Sequence, residues 1–260
     1  MPKMFISNQV LRDILIEATE DERLAITKIF KNKKEKAYSA KKLQKKISME
    51  GGNEIANMYR GQGTGYLDIV DDVLGELEIT GLPAYSSKVA SYDEVSLLNY
   101  SRTKSMNKGI KYAEKAESKI ILFLLSKVYE EMTEKDKISF DLKMNDVAKK
   151  YGSDAKQYLS GTAGLIIFGN LGGFATYTFL TTTLSTLSLG TLGFGAYTAA
   201  TTMLAVILGP IGWTSLGIGA LYYSSKGDLI KLIRIVITVG VIRQRINYDK
   251  SLVVNRTTIT

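Results

Sequence analysis

The sequence predicts an all-α fold in which amphipathic helices pack around a long Gly/Thr-rich hydrophobic helical hairpin. Apolar residues among the first 150 positions recur at helical spacing, and few segments alternate with a period of two. Residues 157–225 contain no Asp, Glu, Lys or Arg, although charged residues make up 23% of the chain. We therefore divide the sequence into a charged helical domain at 1–150, a hydrophobic hairpin at 151–225, and a basic C-terminal helix and tail at 226–260.

The first two predicted helices are amphipathic. In SNQVLRDILIEAT, Val10, Leu11, Ile14 and Leu15 fall on one helical face, and Ser7 is the expected N-cap. The stretch DERLAITKIF repeats the pattern with its own apolar residues. Both stretches therefore predict helices that bury one face and expose the other.

Glycines are expected to separate the helices that follow. Gly51 and Gly52 end one helix, the glycines at 61, 63 and 65 break the next, and a further helix begins near positions 64–66. Between 108 and 151 the pattern predicts a helical pair. Within it, ESKIILFLLSKVYEEM is apolar nearly all round for six residues, which indicates packing on several sides.

The uncharged segment is uneven along its length. Residues 159–180 and 203–223 are each long enough to cross a bilayer core of ~30 Å at ~1.5 Å per residue, whereas the Thr-, Ser- and Gly-rich stretch between them suits a bend. Small residues and a Gly-Pro kink define the predicted membrane hairpin through Gly169, Gly173, Gly209, Pro210, Gly212 and Trp213. Basic residues flank both ends, which favours two crossings. A hairpin buried in a fully soluble protein is the alternative interpretation.

The C-terminal stretch DLIKLIRIVITVGVIRQRI is also strongly apolar. Only eight residues separate Arg234 from Arg243, which is too few to span a bilayer. We therefore expect a helix that lies at a membrane interface or packs against protein.

A lysine run gives the chain much of its net charge of +8. Between Lys28 and Lys46 there are nine lysines and a single acidic residue, Glu35. An anionic membrane surface is the favoured partner. Nucleic acid is disfavoured because only Phe30 and Tyr38 offer stacking, and a solvated helix face is the plain alternative. The residues predicted to bind anionic lipid are Lys31, Lys33, Lys34, Lys36, Lys41, Lys42, Lys45, Lys46, Arg243 and Arg245.

The sequence offers little to a catalytic interpretation. It has neither His nor Cys, which removes the usual zinc site, the Ser-His-Asp triad and any thiol nucleophile. Asp68, Asp72 and Glu76 recur every four residues, and we interpret this strip as an acidic face against the lysine run rather than as a metal site. We expect no catalytic residue, metal or cofactor. The N-terminal 24 residues lack the apolar core of a signal peptide, so we expect a cytoplasmic protein, peripheral to or inserted in the inner membrane.

Two stretches resemble a known family. GGNEIANMYRGQGTGYLDIVDDVLGEL is similar to the signature of the YaaW family of bacterial proteins, and ILGPIGWTSLGIGALY resembles its apolar C-terminal motif. The signature falls here on Gly51, Gly52, Ile55, Asn57, Arg60, Gly61 and Gly63. The resemblance covers most of residues 5–245 and implies a relation to ubiquinol–cytochrome c chaperones, without supplying catalytic residues.

These features together predict a non-catalytic protein that associates with membranes. The charged helices would sheathe the hydrophobic hairpin, which could then insert into or permeabilise the inner membrane. An assembly chaperone that binds apolar segments of a client protein is the alternative. Self-association into a homo-oligomer stays open in both cases.

Overall fold

Six helices and no strand make up the described part of the computed structural model. The described residues are 2–30, 36–51, 63–85, 100–131 and 227–257, together with short pieces of one or two residues between 134 and 145. The helices are α1 (Pro2–Glu17), α2 (Glu20–Ile29), α3 (Ala40–Glu50), α4 (Tyr66–Glu76), α5 (Tyr100–Glu131) and α6 (Gly227–Thr257). This confirms the all-α prediction. The predicted hairpin and all six residues assigned to it lie outside the described residues.

The chain divides into two compact units, residues 1–120 with 227–243 and residues 121–226 with 244–260. The first unit therefore contains α1 to α4 together with the first parts of α5 and α6. The three-part division drawn from composition stays a prediction.

The predicted apolar face of α1 is confirmed. Val10, Leu11, Ile14 and Leu15 are all buried. Ser7 was expected to cap this helix, and that expectation is wrong because α1 begins at Pro2, so that Ser7 lies inside it and is fully buried.

Local capping explains where α2 and α3 begin. Thr19 and Glu22 form a capping box at α2, in which the Thr19 N–H donates to the Glu22 carboxylate at 2.6 Å and the Glu22 N–H donates to Thr19 Oγ1 at 3.3 Å. Ser39 Oγ accepts the Lys42 N–H at α3. The inner face of α3 then packs on α1, where Gln44 Nε2 donates to the Asn8 carbonyl at 3.1 Å.

Glycines allow α1, α3 and α4 to meet at one corner. Gly51 ends α3 as predicted, and the Thr64 N–H donates to the Ser48 carbonyl at 2.8 Å. A Cβ at Gly63 would lie 2.1 Å from that carbonyl oxygen, so the chain approaches too closely for any side chain. The family-motif glycines at 51 and 63 are thus structural here, whereas Gly52, Asn57, Arg60 and Gly61 lie outside the described residues.

Helix α4 is capped by a side chain from another helix. Its N-cap residue, Gly65, offers no side-chain oxygen, and Ser7 Oγ of α1 instead accepts the Leu67 N–H at 2.7 Å. A Cβ at Gly65 would lie 2.5 Å from Ser7 Oγ. The start of α4 therefore depends on a glycine and on a serine 58 positions away.

Helix α6 is a packed helix, one of the two alternatives expected from its sequence. The part of α6 that belongs to the first unit has buried side chains on several sides of the helix. These are Ile233, Ile235, Val236, Ile237 and Val239. No helix in the described part of the chain is both long enough and apolar enough to cross a bilayer.

Substitution of Gly65 by alanine tests the cap between α1 and α4. We expect Gly65→Ala to lower the free energy of unfolding by about 1–3 kcal/mol, because Ser7 must move and the cap is lost. Gly75→Ala is the matched control on the same helix, since its Cβ would meet no atom within 4 Å. We expect this control to raise the free energy of unfolding by about 0.5–1 kcal/mol. Urea titration measures both, and equal effects of the two variants would contradict the cross-helix cap.

Candidate anion-binding site

The outer side of α3 presents a cluster of lysines. We call Lys36, Lys41, Lys42, Lys45 and Lys46 the lysine face. The last four follow the i, i+1, i+4, i+5 spacing, while Leu43 and Ile47 of the same helix are buried against the rest of the first unit. Four of the five lysines are exposed and Lys46 is half-buried. Lys31, Lys33 and Lys34 lie outside the described residues.

The described acidic residues do not form ion pairs with the lysine face. Within the described residues, none of its five ammonium groups forms an ion pair. The first turn of α3 contains no acidic residue and carries Lys41 and Lys42 at the positive end of the helix dipole, which costs about 0.3–1 kcal/mol per charge. An external anion would therefore meet an electrostatically unsatisfied surface.

The interpretation that the acidic strip of α4 faces the lysine run stays a prediction, because part of that run lies outside the described residues. Asp71, beside the strip, accepts hydrogen bonds from the Tyr112 hydroxyl and, at 2.9 Å, from the Tyr85 N–H. Burial raises the pKa of Tyr112, and the hydrogen bond to Asp71 raises it further, so Tyr112 stays a neutral donor. No described group of three or more acidic side chains is arranged to hold a metal ion.

Two aromatic rings organise part of the lysine face. The Nζ of Lys42 lies 3.9 Å from the centre of the Tyr38 ring. The Nζ of Lys46 lies 5.4 Å from the centre of the Phe30 ring and 5.7 Å from that of Tyr38. Each such contact is worth about 0.5–1 kcal/mol at an exposed site. Tyr38 thus contacts two ammonium groups of the lysine face without neutralising them.

The backbone of Tyr38 is held in place by a hydrogen-bonded chain to α2. The Tyr38 N–H donates to Thr27 Oγ1 at 3.0 Å, and this hydroxyl in turn donates to the Arg23 carbonyl at 2.7 Å. Thr27 itself is fully buried. The residue before the N-cap of α3 is therefore fixed by tertiary contacts as well as by its neighbours in the chain.

An apolar side chain lies within the basic surface. Met49 is 46% exposed and follows Lys45 by four residues, on the same side of α3. A surface that combines ammonium groups with an exposed apolar side chain suits an interface that is both anionic and apolar.

Arg243 was predicted to bind lipid, and the structure corrects this. Its side chain is only 2% exposed and lies in the first unit, where Nε and Nη2 donate to the two oxygens of Glu117 at 2.8 and 3.0 Å. The Tyr66 hydroxyl donates to the same carboxylate at 2.8 Å. A guanidinium that is buried and paired in this way cannot contact a membrane surface without unfolding its surroundings.

The surroundings of this cluster keep Tyr66 and Arg243 in fixed protonation states. Burial acts to lower the pKa of Arg243, but the Glu117 carboxylate more than offsets this, so the pKa lies above its usual value. Burial raises the pKa of Tyr66 well above its usual value, and the negative charge of Glu117 raises it further. The result is a neutral phenol and a charged guanidinium sharing one carboxylate.

Other basic residues of α6 are also engaged or shielded. Lys231 forms an ion pair with Glu50 at the end of α3. Arg234 is half-buried, and burial lowers its pKa. In the second unit Arg245, also predicted to bind lipid, forms an ion pair with Asp249 at 2.7 Å. Of the two regions predicted to bind lipid, the lysine face of α3 rather than α6 is therefore the one whose described basic side chains are accessible to a partner.

Sequence reasoning missed the pairing of Glu117 with Arg243, although a signal existed. Glu117 occupies the buried side of α5 together with Ala113, Ala116 and Ile120. A carboxylate at an apolar position predicts a buried partner, but not which of many basic residues supplies it.

Comparison of the chain with family models, with curated proteins and with solved structures finds no match. The resemblance to the YaaW family therefore stays a prediction based on its motifs.

Removal of one member of the buried ion pair tests how much the pair contributes to the stability of the fold. We expect Arg243→Met to lower the free energy of unfolding by about 3–5 kcal/mol, because it leaves the Glu117 carboxylate buried without a cation. The triple variant Arg243→Met, Glu117→Leu and Tyr66→Phe should recover most of this loss, since no polar group is then left unsatisfied. Urea unfolding measures both proteins. A single variant as stable as the wild type would contradict the assignment.

Proposed function

We propose that the protein is a non-catalytic, membrane-associating protein that docks on anionic membrane surfaces through the lysine face of α3. The single observation that supports docking best is the absence of ion pairs at five clustered lysines within the described residues. Each lysine near an anionic leaflet contributes about 1 kcal/mol, so the cluster suffices for reversible attachment. The cytoplasmic face of the inner membrane is the site of action in this proposal.

The uncharged segment 157–225 supplies the second part of the proposed function. Docking would bring this segment to the bilayer, where its two longer apolar stretches insert as a hairpin and permeabilise the membrane. The exposed Met49 supports contact with the interfacial layer during docking. The resemblance of its motifs to those of the YaaW family is compatible with the same proposal, since that resemblance implies no catalytic residues.

Paired lysine substitutions test the docking step. We expect Lys41→Gln with Lys45→Gln to weaken binding to phosphatidylglycerol vesicles about 30-fold, because two surface charges of about 1 kcal/mol each are lost. Lys111→Gln with Lys115→Gln is the matched control, since these lysines are also exposed and four residues apart, but lie on α5. Vesicle flotation at low salt measures both variants.

The outcomes of the flotation experiment separate the candidate functions. Equal weakening by both pairs would mean that net charge rather than the lysine face governs binding. Failure of the wild type to float, together with co-purification of a defined apolar client, would favour the chaperone alternative instead. Binding that persists at high salt would also contradict electrostatic docking, because salt screens exposed charges.

A charge placed in the first apolar stretch tests insertion separately from docking. We expect Ile166→Asp to abolish most release of a trapped dye from anionic vesicles, since a carboxylate at the centre of a spanning helix costs about 2.5–3.5 kcal/mol. Flotation of the same variant should stay unchanged. Undiminished dye release would contradict the insertion of residues 159–180, and dye release that is absent in the wild type would contradict permeabilisation.

A further inference from the structure

Two lysines of the face differ from the others in their surroundings. The ammonium groups of Lys42 and Lys46 both lie within 6 Å of the centre of the Tyr38 ring, at 3.9 and 5.7 Å. Lys46 also approaches Phe30. Lys41 and Lys45 make no such ring contact in the described residues, although they are on the same helix and have the same charge.

The pairing of these ammonium groups is unfavourable unless an anion accompanies them. Two like charges four residues apart on a helix repel each other, and no carboxylate of the described chain forms an ion pair with either one. The electron-rich face of Tyr38 attracts both ammonium groups but carries no net charge. The ring is therefore close to two positive charges, neither of which is paired with a carboxylate of the described residues.

The arrangement is also held before any ligand arrives. Tyr38 is anchored to the buried Thr27 by its backbone, and Ser39 caps the first turn of α3 directly beside it. Side chains on a helix lean toward its N-terminus, which directs Lys42 and Lys46 back to this ring. A ligand therefore meets two charges whose positions are already restricted.

We propose that Lys42, Lys46 and Tyr38 form a binding site for one phosphate monoester. A monoester carries a charge of about −1.5 to −2 at neutral pH and three acceptor oxygens, whereas a diester carries a single charge. Two ammonium groups match the monoester in charge, and each can donate to a separate oxygen. This inference rests on the proposed docking function and specifies the lipid headgroup, such as that of phosphatidic acid, that the lysine face prefers.

Vesicles of two compositions test the inference. One contains phosphatidic acid and the other phosphatidylglycerol, each adjusted to the same surface potential. We expect the wild type to bind the phosphatidic acid vesicles about five- to tenfold more tightly, because charge-assisted bonds to a dianion add to general attraction. Lys42→Gln with Lys46→Gln should abolish this preference. Lys41→Gln with Lys45→Gln should weaken binding to both vesicles and keep the preference.

Two further variants address the role of the ring and of the charge. Tyr38→Leu keeps every charge and should reduce the preference, because the two ammonium groups are no longer gathered together. Lys42→Arg with Lys46→Arg should retain it, since a guanidinium also binds phosphate. Circular dichroism and thermal unfolding confirm that each variant is folded before its binding is compared.

The outcomes distinguish failure of the site from failure of the docking function. Equal binding of the wild type to both vesicles overturns the monoester site and leaves docking intact. If the protein binds neither vesicle, it is titrated with glycerol 3-phosphate at constant ionic strength, and the NMR signals of the Tyr38 ring are followed. This titration decides whether the site binds a soluble monoester. Shifts that saturate in the wild type but not in the Lys42→Gln, Lys46→Gln variant support a site for a soluble monoester. Absence of such shifts overturns the inference together with docking.

Discussion

The buried contact between Glu117 and Arg243 constrains the rest of the described fold. It joins α5 to α6 across 126 positions of sequence, and the Tyr66 hydroxyl adds the first residue of α4 to the same carboxylate. A buried ion pair adds little net stability over an apolar core, yet separation of its members is costly. Any sliding of α6 along its partners would leave both charges buried and unpaired. The pair therefore fixes the register of a helix whose apolar residues, buried on several sides, would otherwise fit several positions.

A second buried polar contact between helices positions α4. Gly65 allows Ser7 of α1 to reach the Leu67 N–H, so one buried hydroxyl replaces the cap that the local sequence lacks. Helices α1, α4, α5 and α6 are thus tied together by buried polar groups whose partners lie on other helices. Apolar burial supplies the driving force for their packing, and these polar contacts select which packing is adopted.

The buried and the exposed basic side chains of the first unit have opposite surroundings. Inside, Arg243 is matched by a carboxylate and a phenol, which makes it structural. Outside, Lys42 and Lys46 of α3 lie against tyrosine and phenylalanine rings, which carry no net charge. The difference explains why the described residues favour α3 rather than α6 as the surface for an anionic partner. It also explains why composition alone, which counts every Lys and Arg equally, assigned both regions the same role.

The sequence by itself determined the helical class, the apolar face of α1, the end of α3 at Gly51 and the start of α4, because each follows from local periodicity or local backbone needs. It also located the lysine run, since nine lysines and one acidic residue fall between Lys28 and Lys46. Only the tertiary structure decided that Ser7 caps α4, that Arg243 is buried and that Tyr38 gathers Lys42 and Lys46. The physical reason is that these contacts join residues distant in sequence or depend on side-chain direction. A local pattern can show that a buried charge or a bare helix end needs a partner, whereas only the packing of the helices selects that partner.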